Sequence, residues 1–394
     1  MKILHISHLY PTFYDKFYGR AIYQQIKELV KHSIEVKVIS PIPWTPFAAK
    51  YLTPKWRKYS TITQRMIQDG IEVYRPRYIE FPRAMFFASS GERMHRGIHR
   101  IVEQIYENFQ FDLIHAHTAL PDGYAATLLK EKYKKPLVLT LRSSDLNVAI
   151  FKSEKIFEII QRVVNQSNIV LAPSPYLQKK AQEYLKTKSI IIPNGIDLND
   201  IFKDKSNLLE KYKDKRIILS ASRLIKTKGL DLNIKAIAKL KEKYPNLLYL
   251  IIGEGPERRN LENLADALKI KENVEFLGLQ PHEKTMEYIS ICDIFSLSSW
   301  RETFGLVYLE AMAQGKPIIG CQGQGVDGIV KEKKTGLLVK PKDIESLVQA
   351  IDFLLSNPKK GKEIGERAKK LVLENYTWEK IGKQLVHLYK KLIA

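Results

Sequence analysis

The chain has 394 residues, 44% of them hydrophobic and 27% charged, which excludes a disordered or low-complexity chain and exceeds what one hydrophobic core usually organises. Two domains are therefore expected. Its two cysteines, Cys292 and Cys321, form neither a disulfide framework nor a metal-ligand spacing and fit a reduced compartment. The net charge of +21 points to anionic partners (nucleic acid, an anionic lipid surface or phosphorylated small molecules) or to a surplus of solvated lysines.

The first residues, Met1-Lys2-Ile3-Leu4-His5-Ile6-Ser7, read as an opening strand rather than a signal peptide. No apolar run reaches bilayer length, so the protein is expected in the cytoplasm, with the inner face of the membrane within its reach. Candidate strands follow at Lys2–Ser7, Glu35–Ile39, Leu113–His115, Leu137–Thr140 and Ile169–Ala172. A second series is Arg216–Ser220, Leu247–Ile252, Val274–Leu277, Ile294–Leu297 and Pro317–Cys321. Between them lie amphipathic segments such as Ala21–Lys31, Leu230–Lys243 and Arg259–Leu268. Such alternation predicts parallel α/β sheets, and two series predict two doubly wound domains.

Ser189–Ile192 reads as a closing strand, and Pro193-Asn194-Gly195-Ile196-Asp197 then punctuates the chain. The segment Thr377–Ile393 carries Trp378, Ile381, Leu385, Leu388, Tyr389 and Leu392 near helical spacing. Periodicity does not say which domain receives it. The expected division is 1–193 with 378–394 as one domain, and 194–377 as the other.

The most informative stretch is Ser299-Trp300-Arg301-Glu302-Thr303-Phe304-Gly305-Leu306-Val307-Tyr308-Leu309-Glu310. It follows a strand, and Gly305–Gln314 reads as a helix ending at Gly315. Free backbone N–H groups near Phe304, Gly305, Leu306 and Val307 would form an anion site at the helix start. Glu302 in the loop before the helix can hold sugar hydroxyls, and Glu310 within it can reach a ribose. Upstream, Ser220-Ala221-Ser222-Arg223-Leu224-Ile225-Lys226-Thr227-Lys228-Gly229 takes a strand into a loop carrying Arg223 and Lys228. Cations at a strand end suit a phosphate, arginine as a planar fork and lysine as a point charge.

These two segments resemble the donor site of glycosyltransferase family 4, in which Glu-x7-Glu follows an Arg-x4-Lys-Gly loop. Gly19 after the first strand, Ile114-His115-Ala116-His117, Pro193-Asn194-Gly195-Ile196-Asp197 and Gly253-Glu254-Gly255-Pro256 agree with that family in order and spacing. The resemblance implies a GT-B fold: two doubly wound, Rossmann-like α/β domains facing each other across a cleft. It implies a retaining enzyme that needs no divalent metal and uses a UDP- or GDP-sugar as co-substrate. By position, Glu302 would hold the donor sugar with backbone N–H groups of Phe304 and Gly305. Leu306 and Val307 would bond the diphosphate, Arg223 and Lys228 would neutralise it, and Glu310 would hold the ribose. Gly253 and Leu279 would border the donor, whose base is expected near Leu277–Pro281. Gly19, His117 and Asp145 would lie on the acceptor side.

One segment departs from the family. Where many members carry Thr-x-His-Gly-x-Asp, this chain has Thr140-Leu141-Arg142-Ser143-Ser144-Asp145. The pattern resembles a variant among teichuronic acid and exopolysaccharide glycosyltransferases, and Arg142 is expected to point into the cleft and steady a diphosphate or an acidic acceptor. His115 and His117 are expected to face opposite ways, with His117 towards the cleft. No metal site is expected.

From Trp44 to Arg100 the chain is basic and aromatic. It carries Lys50, Lys55, Arg57, Lys58, Arg65, Arg75, Arg77, Arg83, Arg93, Arg96 and Arg100, with Phe47, Tyr51, Trp56, Phe86 and Phe87 interleaved. This stretch either meets an anionic bilayer carrying a lipid-linked acceptor or is a loop region that packs its aromatics and solvates its charges. The competing reading of the whole chain is a non-catalytic nucleic-acid- or membrane-binding protein on the same scaffold. No zinc spacing or RNA-binding aromatic signature supports nucleic acid. In Gly253-Glu254-Gly255-Pro256-Glu257-Arg258, Arg258 replaces the third glycine of a dinucleotide fingerprint.

Overall fold

The computed structural model describes residues 1–15, 18–46, 51, 53–201 and 206–394. They divide into two compact units, Met1–Asn194 with Trp378–Ala394, and Gly195–Thr377.

The first unit contains β1 (Lys2–Ile6), β2 (Glu35–Ile39), β3 (Ile42–Pro43), β4 (Arg65–Gln68), β5 (Ile71–Tyr74), β6 (Arg77–Tyr78), β7 (Leu113–Ala116), β8 (Leu137–Thr140), β9 (Ile169–Ala172) and β10 (Ile190–Ile191). Eight of them form one sheet in the order β10-β9-β8-β7-β1-β2-β5-β4, while β3 and β6 pair separately. The large sheet is parallel except for β4, which runs antiparallel along β5 at the edge. Strands such as Leu113–Ala116 and Leu137–Thr140 are buried at every residue. Such strands need cover on both faces, which helices supply. Side chains alternate along β1 accordingly. Ile3 joins a core with Ile22, Ile26, Leu29, Trp378, Ile381 and Leu385. Leu4 and Ile6 join the opposite core with Met94, Ile98, Val102 and Leu129. Helix Trp378–Ile393 therefore packs with helix Arg20–Lys31 on the first unit, a choice that its periodicity leaves open.

The second unit contains β11 (Arg216–Ala221), β12 (Leu247–Ile252), β13 (Val274–Gly278), β14 (Ile294–Ser296), β15 (Ile318–Cys321) and β16 (Leu337–Val339). They form one parallel sheet in the order β13-β12-β11-β14-β15-β16. Helices Leu230–Leu240, Arg258–Ala267, His282–Ile291, Leu306–Ala313, Ile344–Ser356 and Pro358–Asn375 surround it. Expected strands lie within a residue or two of the observed ones. The helix expected over Leu230–Lys243 ends at Leu240, ahead of Tyr244-Pro245, where proline disfavours helical backbone. The closing strand shrinks to Ile190 and Ile191, since β9 offers partners only at Leu171 and Ala172.

Leu385 is fully buried between helix and sheet. Leu385→Ala is expected to cost about 2–5 kcal/mol through lost transfer energy and the cavity left behind. Urea unfolding followed by circular dichroism measures it; an unchanged midpoint would show that the terminal helix adds no stability to the first unit.

Candidate active site

In an open parallel sheet, ligands bind beyond the carboxyl ends of the strands where the strand order reverses. In the second unit that point lies between β11 and β14, which pair at Ile218–Ile294 and Leu219–Phe295. The two loops leaving these strands are the two segments that carry Arg223, Lys228 and Glu302.

The loops are stitched together by backbone and small polar side chains. Trp300 N–H and Ser299 Oγ both donate to the Thr227 carbonyl, at 3.1 and 3.2 Å. Ser298 Oγ donates to the Gly229 carbonyl at 2.9 Å, and Asn233 Nδ2 donates to Ser298 Oγ at 3.2 Å. On this frame the Lys228 ammonium meets the Glu302 carboxylate at 2.7 Å, and both side chains are largely shielded. Arg223 on the same loop is exposed. It has no ion pair or hydrogen bond through its guanidinium among the described residues.

The helix begins at Leu306, one residue later than expected, because Gly305 serves as its N-cap in the left-handed conformation (φ 79°). A Cβ there would lie 2.4 Å from the Tyr308 ring, so only glycine fits. The cap has no side chain to satisfy the first turn. The N–H groups of Phe304, Gly305, Leu306 and Val307 consequently have no acceptor among the described residues. A helix start with unsatisfied N–H groups is a site for an anion. Glu310 lies in the second turn of this helix, 3.9 Å from Nδ1 of His282.

Gly253 ends β12 at φ 130° and donates its N–H to the Gly278 carbonyl at 2.8 Å. Leu279 stands next in that turn and is 69% exposed, so its side chain is available to a ligand but held by little.

Sequence reasoning missed the loop that holds Glu302. Gln324 Oε1 accepts the Glu302 N–H at 3.0 Å, and Gly325 N–H donates to the Glu302 carbonyl at 2.8 Å. A Cβ on Gly325 would lie 2.2 Å from the Thr303 carbonyl carbon, so this close approach requires glycine. The pattern Gln322-Gly323-Gln324-Gly325 after a strand signals a turn. Nothing in it signals which loop it would clamp.

The first unit's sheet reverses between β1 and β7, and three buried histidines meet there. His5 Nδ1 lies 3.0 Å from His117 Nε2, and Arg142 Nη2 lies 3.2 Å from His117 Nδ1. The guanidinium can only donate, so His117 Nδ1 accepts and its Nε2–H donates to His5. This leaves His5 Nε2–H as a buried donor without a partner among the described residues. His115 bonds Thr140 Oγ1 at 2.7 Å and the Tyr389 hydroxyl at 2.6 Å. Burial pushes all three imidazoles down, His5 to about 3, and the Arg142 charge lowers His115 and His117 further.

The expectation that His115 and His117 face opposite ways is wrong. Residues two apart on a strand share a face, and their rings stack with centroids 4.2 Å apart. Ring nitrogens of His5, His115 and His117 lie within 4.8 Å of one another. Their lone pairs are already taken by Arg142, by each other and by Thr140 or Tyr389, which suits a hydrogen-bond relay better than a cation. Burial lowers Arg142 to about 10, partly countered by Asp145.

Asp145 is buried and accepts backbone N–H bonds from Ala119 at 2.9 Å and Arg142 at 2.7 Å. Burial pushes it up to about 7 against the pull of those donors. It fixes the loops that present Arg142 and His117. Nearby, His8 Nδ1 lies 3.0 Å from both oxygens of buried Asp122. Burial alone would lower His8, but the carboxylates of Asp122, Glu80 and Asp145, Asp122 foremost, together outweigh it and raise the imidazole. Gly19 caps helix Arg20–Lys31 and packs against the Leu9 backbone.

Residues 19–200 match the family described as Glycosyltransferase Family 4, and residues 201–371 match Glycosyl transferases group 1. The Bacillus subtilis protein assigned to teichuronic acid biosynthesis as glycosyltransferase TuaC is 30% identical over 357 residues, covering 89% of this chain and 88% of its own. The chain belongs to glycosyltransferase family 4. The N-acetyl-alpha-D-glucosaminyl L-malate synthase of Bacillus anthracis is 30% identical over 294 residues, covering 73% of this chain and 76% of its own. Among solved structures, sucrose-phosphate synthase from Thermosynechococcus elongatus aligns with TM-score 0.79 at 21% identity, covering 100% of this chain and 99% of its own. Anabaena HepE in complex with UDP aligns with TM-score 0.76 at 20% identity over 100% of both chains. These likenesses establish the GT-B fold of this glycosyltransferase.

In this family member the basic stretch is not one open cationic surface. Arg75 is buried and donates to the Pro11 carbonyl at 2.7 Å. Arg77 holds the carbonyls of Tyr59 and Ile62, and Arg93 those of Ile79 and Phe86. Arg65 pairs with Glu72 and Arg96 with Glu92. Phe47 and Lys50 lie outside the described residues.

Asp145→Asn would point an amide nitrogen at a backbone N–H, and is expected to cost about 1–3 kcal/mol, read from urea unfolding; an unchanged midpoint would sink the anchoring role. His8 is expected to titrate above 6.5 by NMR, and to fall towards 6.5 or below in Asp122→Asn. With a raised folded value, its stabilisation is complete below pH 6.5 and fades as pH climbs through that value.

Proposed function

We propose that this enzyme moves a sugar from a UDP- or GDP-sugar to a glycan or lipid-linked acceptor in cell-surface polysaccharide biosynthesis, with retention of anomeric configuration and without a divalent metal. The observation that carries the reading is the unsatisfied helix start at Phe304–Val307, set beside the loop carrying Arg223 and Lys228. That arrangement offers N–H donors and cations to a diphosphate. The UDP in the HepE complex and the teichuronic acid assignment of the Bacillus relative support the donor and pathway classes.

The first unit receives the acceptor and the second the donor. Leu306 and Val307 bond the diphosphate, Arg223 and Lys228 neutralise it, and Glu302 takes sugar hydroxyls with the N–H groups of Phe304 and Gly305. Glu310 holds the ribose, while Gly253 and Leu279 border the base. Donor binding exchanges the Lys228–Glu302 contact for contacts to the ligand, since each partner has a new counterpart there. An acceptor hydroxyl oxygen bonds the anomeric carbon on the face from which the diphosphate departs. The anomeric C–O bond breaks, its electrons stay with the phosphate oxygen, and that oxygen takes the acceptor proton. Arg142 adds a cation for an anionic group of either substrate, Gly19 admits the ligand near the backbone, and His117 and Asp145 hold Arg142 in place. Stabilising the charge on the leaving phosphate lowers the barrier more than any other of these contacts.

Calorimetric binding of UDP and GDP with EDTA present tests this. One nucleotide is expected to bind, and Lys228→Ala to lose about 3–4 kcal/mol of transition-state stabilisation, two to three decades in turnover. Absence of nucleotide binding with or without magnesium would overturn the donor site, and binding that requires magnesium would overturn metal independence.

A second reading concerns the membrane. No helix among the described residues is long and apolar enough to cross one. Ile79, Phe81, Met85 and Phe86 are nonetheless exposed beside Arg83, and this group suits contact with the anionic inner face. Co-sedimentation with vesicles is expected to rise with anionic lipid; indifference to lipid charge would remove the reading.

A further inference from the structure

Beyond the carboxyl ends of β1 and β2, the first unit encloses a cavity of about 490 Å³, within the usual span of small-molecule sites, about 300–1,000 Å³. Its wall has two characters. Trp56 and Tyr59 from helix Pro54–Thr61, with Tyr18 and Phe81, present aromatic rings. Asp15 and Glu80 present carboxylates, and Tyr78 donates its hydroxyl to Glu80 at 2.8 Å. Ser40 and Tyr10 also line it. Each is 1% exposed, and neither hydroxyl has a hydrogen-bond partner among the described residues.

Among the described residues, the cations on this wall are Arg83, which is exposed, and His8, already held by both oxygens of Asp122. The fixed polar groups are therefore mainly acceptors and hydroxyls. Acceptor-only carboxylates suit a ligand rich in O–H donors, and aromatic rings suit the apolar C–H face of a sugar ring. A phosphate or carboxylate on the ligand would instead meet Asp15 and Glu80 as like charges.

We propose that this cavity seats an uncharged sugar unit of the acceptor glycan, stacked on Trp56 with its hydroxyls on Glu80 and Asp15. This rests on the reading that the first unit receives the acceptor, and it narrows that acceptor to one whose bound unit is neutral.

Saturation-transfer NMR on the full chain, with methyl glycosides of glucose, N-acetylglucosamine and glucuronic acid, tests it. Neutral glycosides are expected to bind, with Glu80→Gln weakening them roughly tenfold, as expected for a lost hydrogen bond to a charged group. Trp56→Ala is expected to abolish the signal, and the glucuronide to bind at least tenfold more weakly. UDP or GDP binding and the thermal melt of Glu80→Gln should match the parent, showing that the fold is intact. Nucleotide binding with no glycoside binding, tighter glucuronide binding, or neutral binding indifferent to both substitutions would each overturn the cavity's assignment while leaving the donor site standing. Glycoside binding sensitive to Glu80→Gln with no nucleotide binding would support the cavity and overturn the donor reading instead.

Discussion

Each sheet reverses its strand order at one place, and a parallel sheet has no other position where loops from neighbouring strands diverge to leave a crevice. In the second unit the reversal separates β11 from β14; in the first it separates β7 from β1. Lys228 and Glu302 occupy the former, and His5, His8, His117 and Asp122 the latter. Ionisable side chains gather at these two points, where loops from neighbouring strands diverge. Small residues then exploit the gap: Ser298 and Gly229 lock one loop to the other, and Gly305 frees a helix start.

Much of this is legible in the chain. Strands such as Leu247–Ile252 are continuous apolar runs, and their burial on both faces is what such runs demand. Arg223, Lys228, Glu302 and Glu310 stand out because their spacing is short: the two cations share one loop, and the two carboxylates lie on either side of one helix start. The contacts that hold them are not legible. Gln324 reaches Glu302 across 22 positions, and Asp122 reaches His8 across 114. No local pattern encodes such separations; they exist only once strand order is known.

Two features emerge only once the chain is folded. Composition makes the stretch from Trp44 to Arg100 look like a cationic surface, yet a guanidinium offers five donors and is as useful for tying carbonyls as for meeting phosphate. Arg75, Arg77 and Arg93 do the former, tying the carbonyls of Pro11, Tyr59, Ile62, Ile79 and Phe86. The histidines depart from the alternation expected of them, because positions two apart on a strand lie together. The consequence is substantial: their stacking builds a continuous polar thread from Tyr389 through His115 and His117 to Arg142. The strand pattern alone shows one end of it.

The second unit begins and ends at the same spot. Ile196 pairs with Thr377 in a parallel bridge, and its N–H donates to the Tyr376 carbonyl at 2.9 Å. A segment whose two ends are stapled side by side behaves as an insert: it closes its own core without borrowing from the host, and the host chain is left with a gap that a short splice could bridge. Residues 195–377 thus have the connectivity of a cassette, one that could be exchanged between scaffolds while the first unit, sealed by its returning helix, keeps its own core.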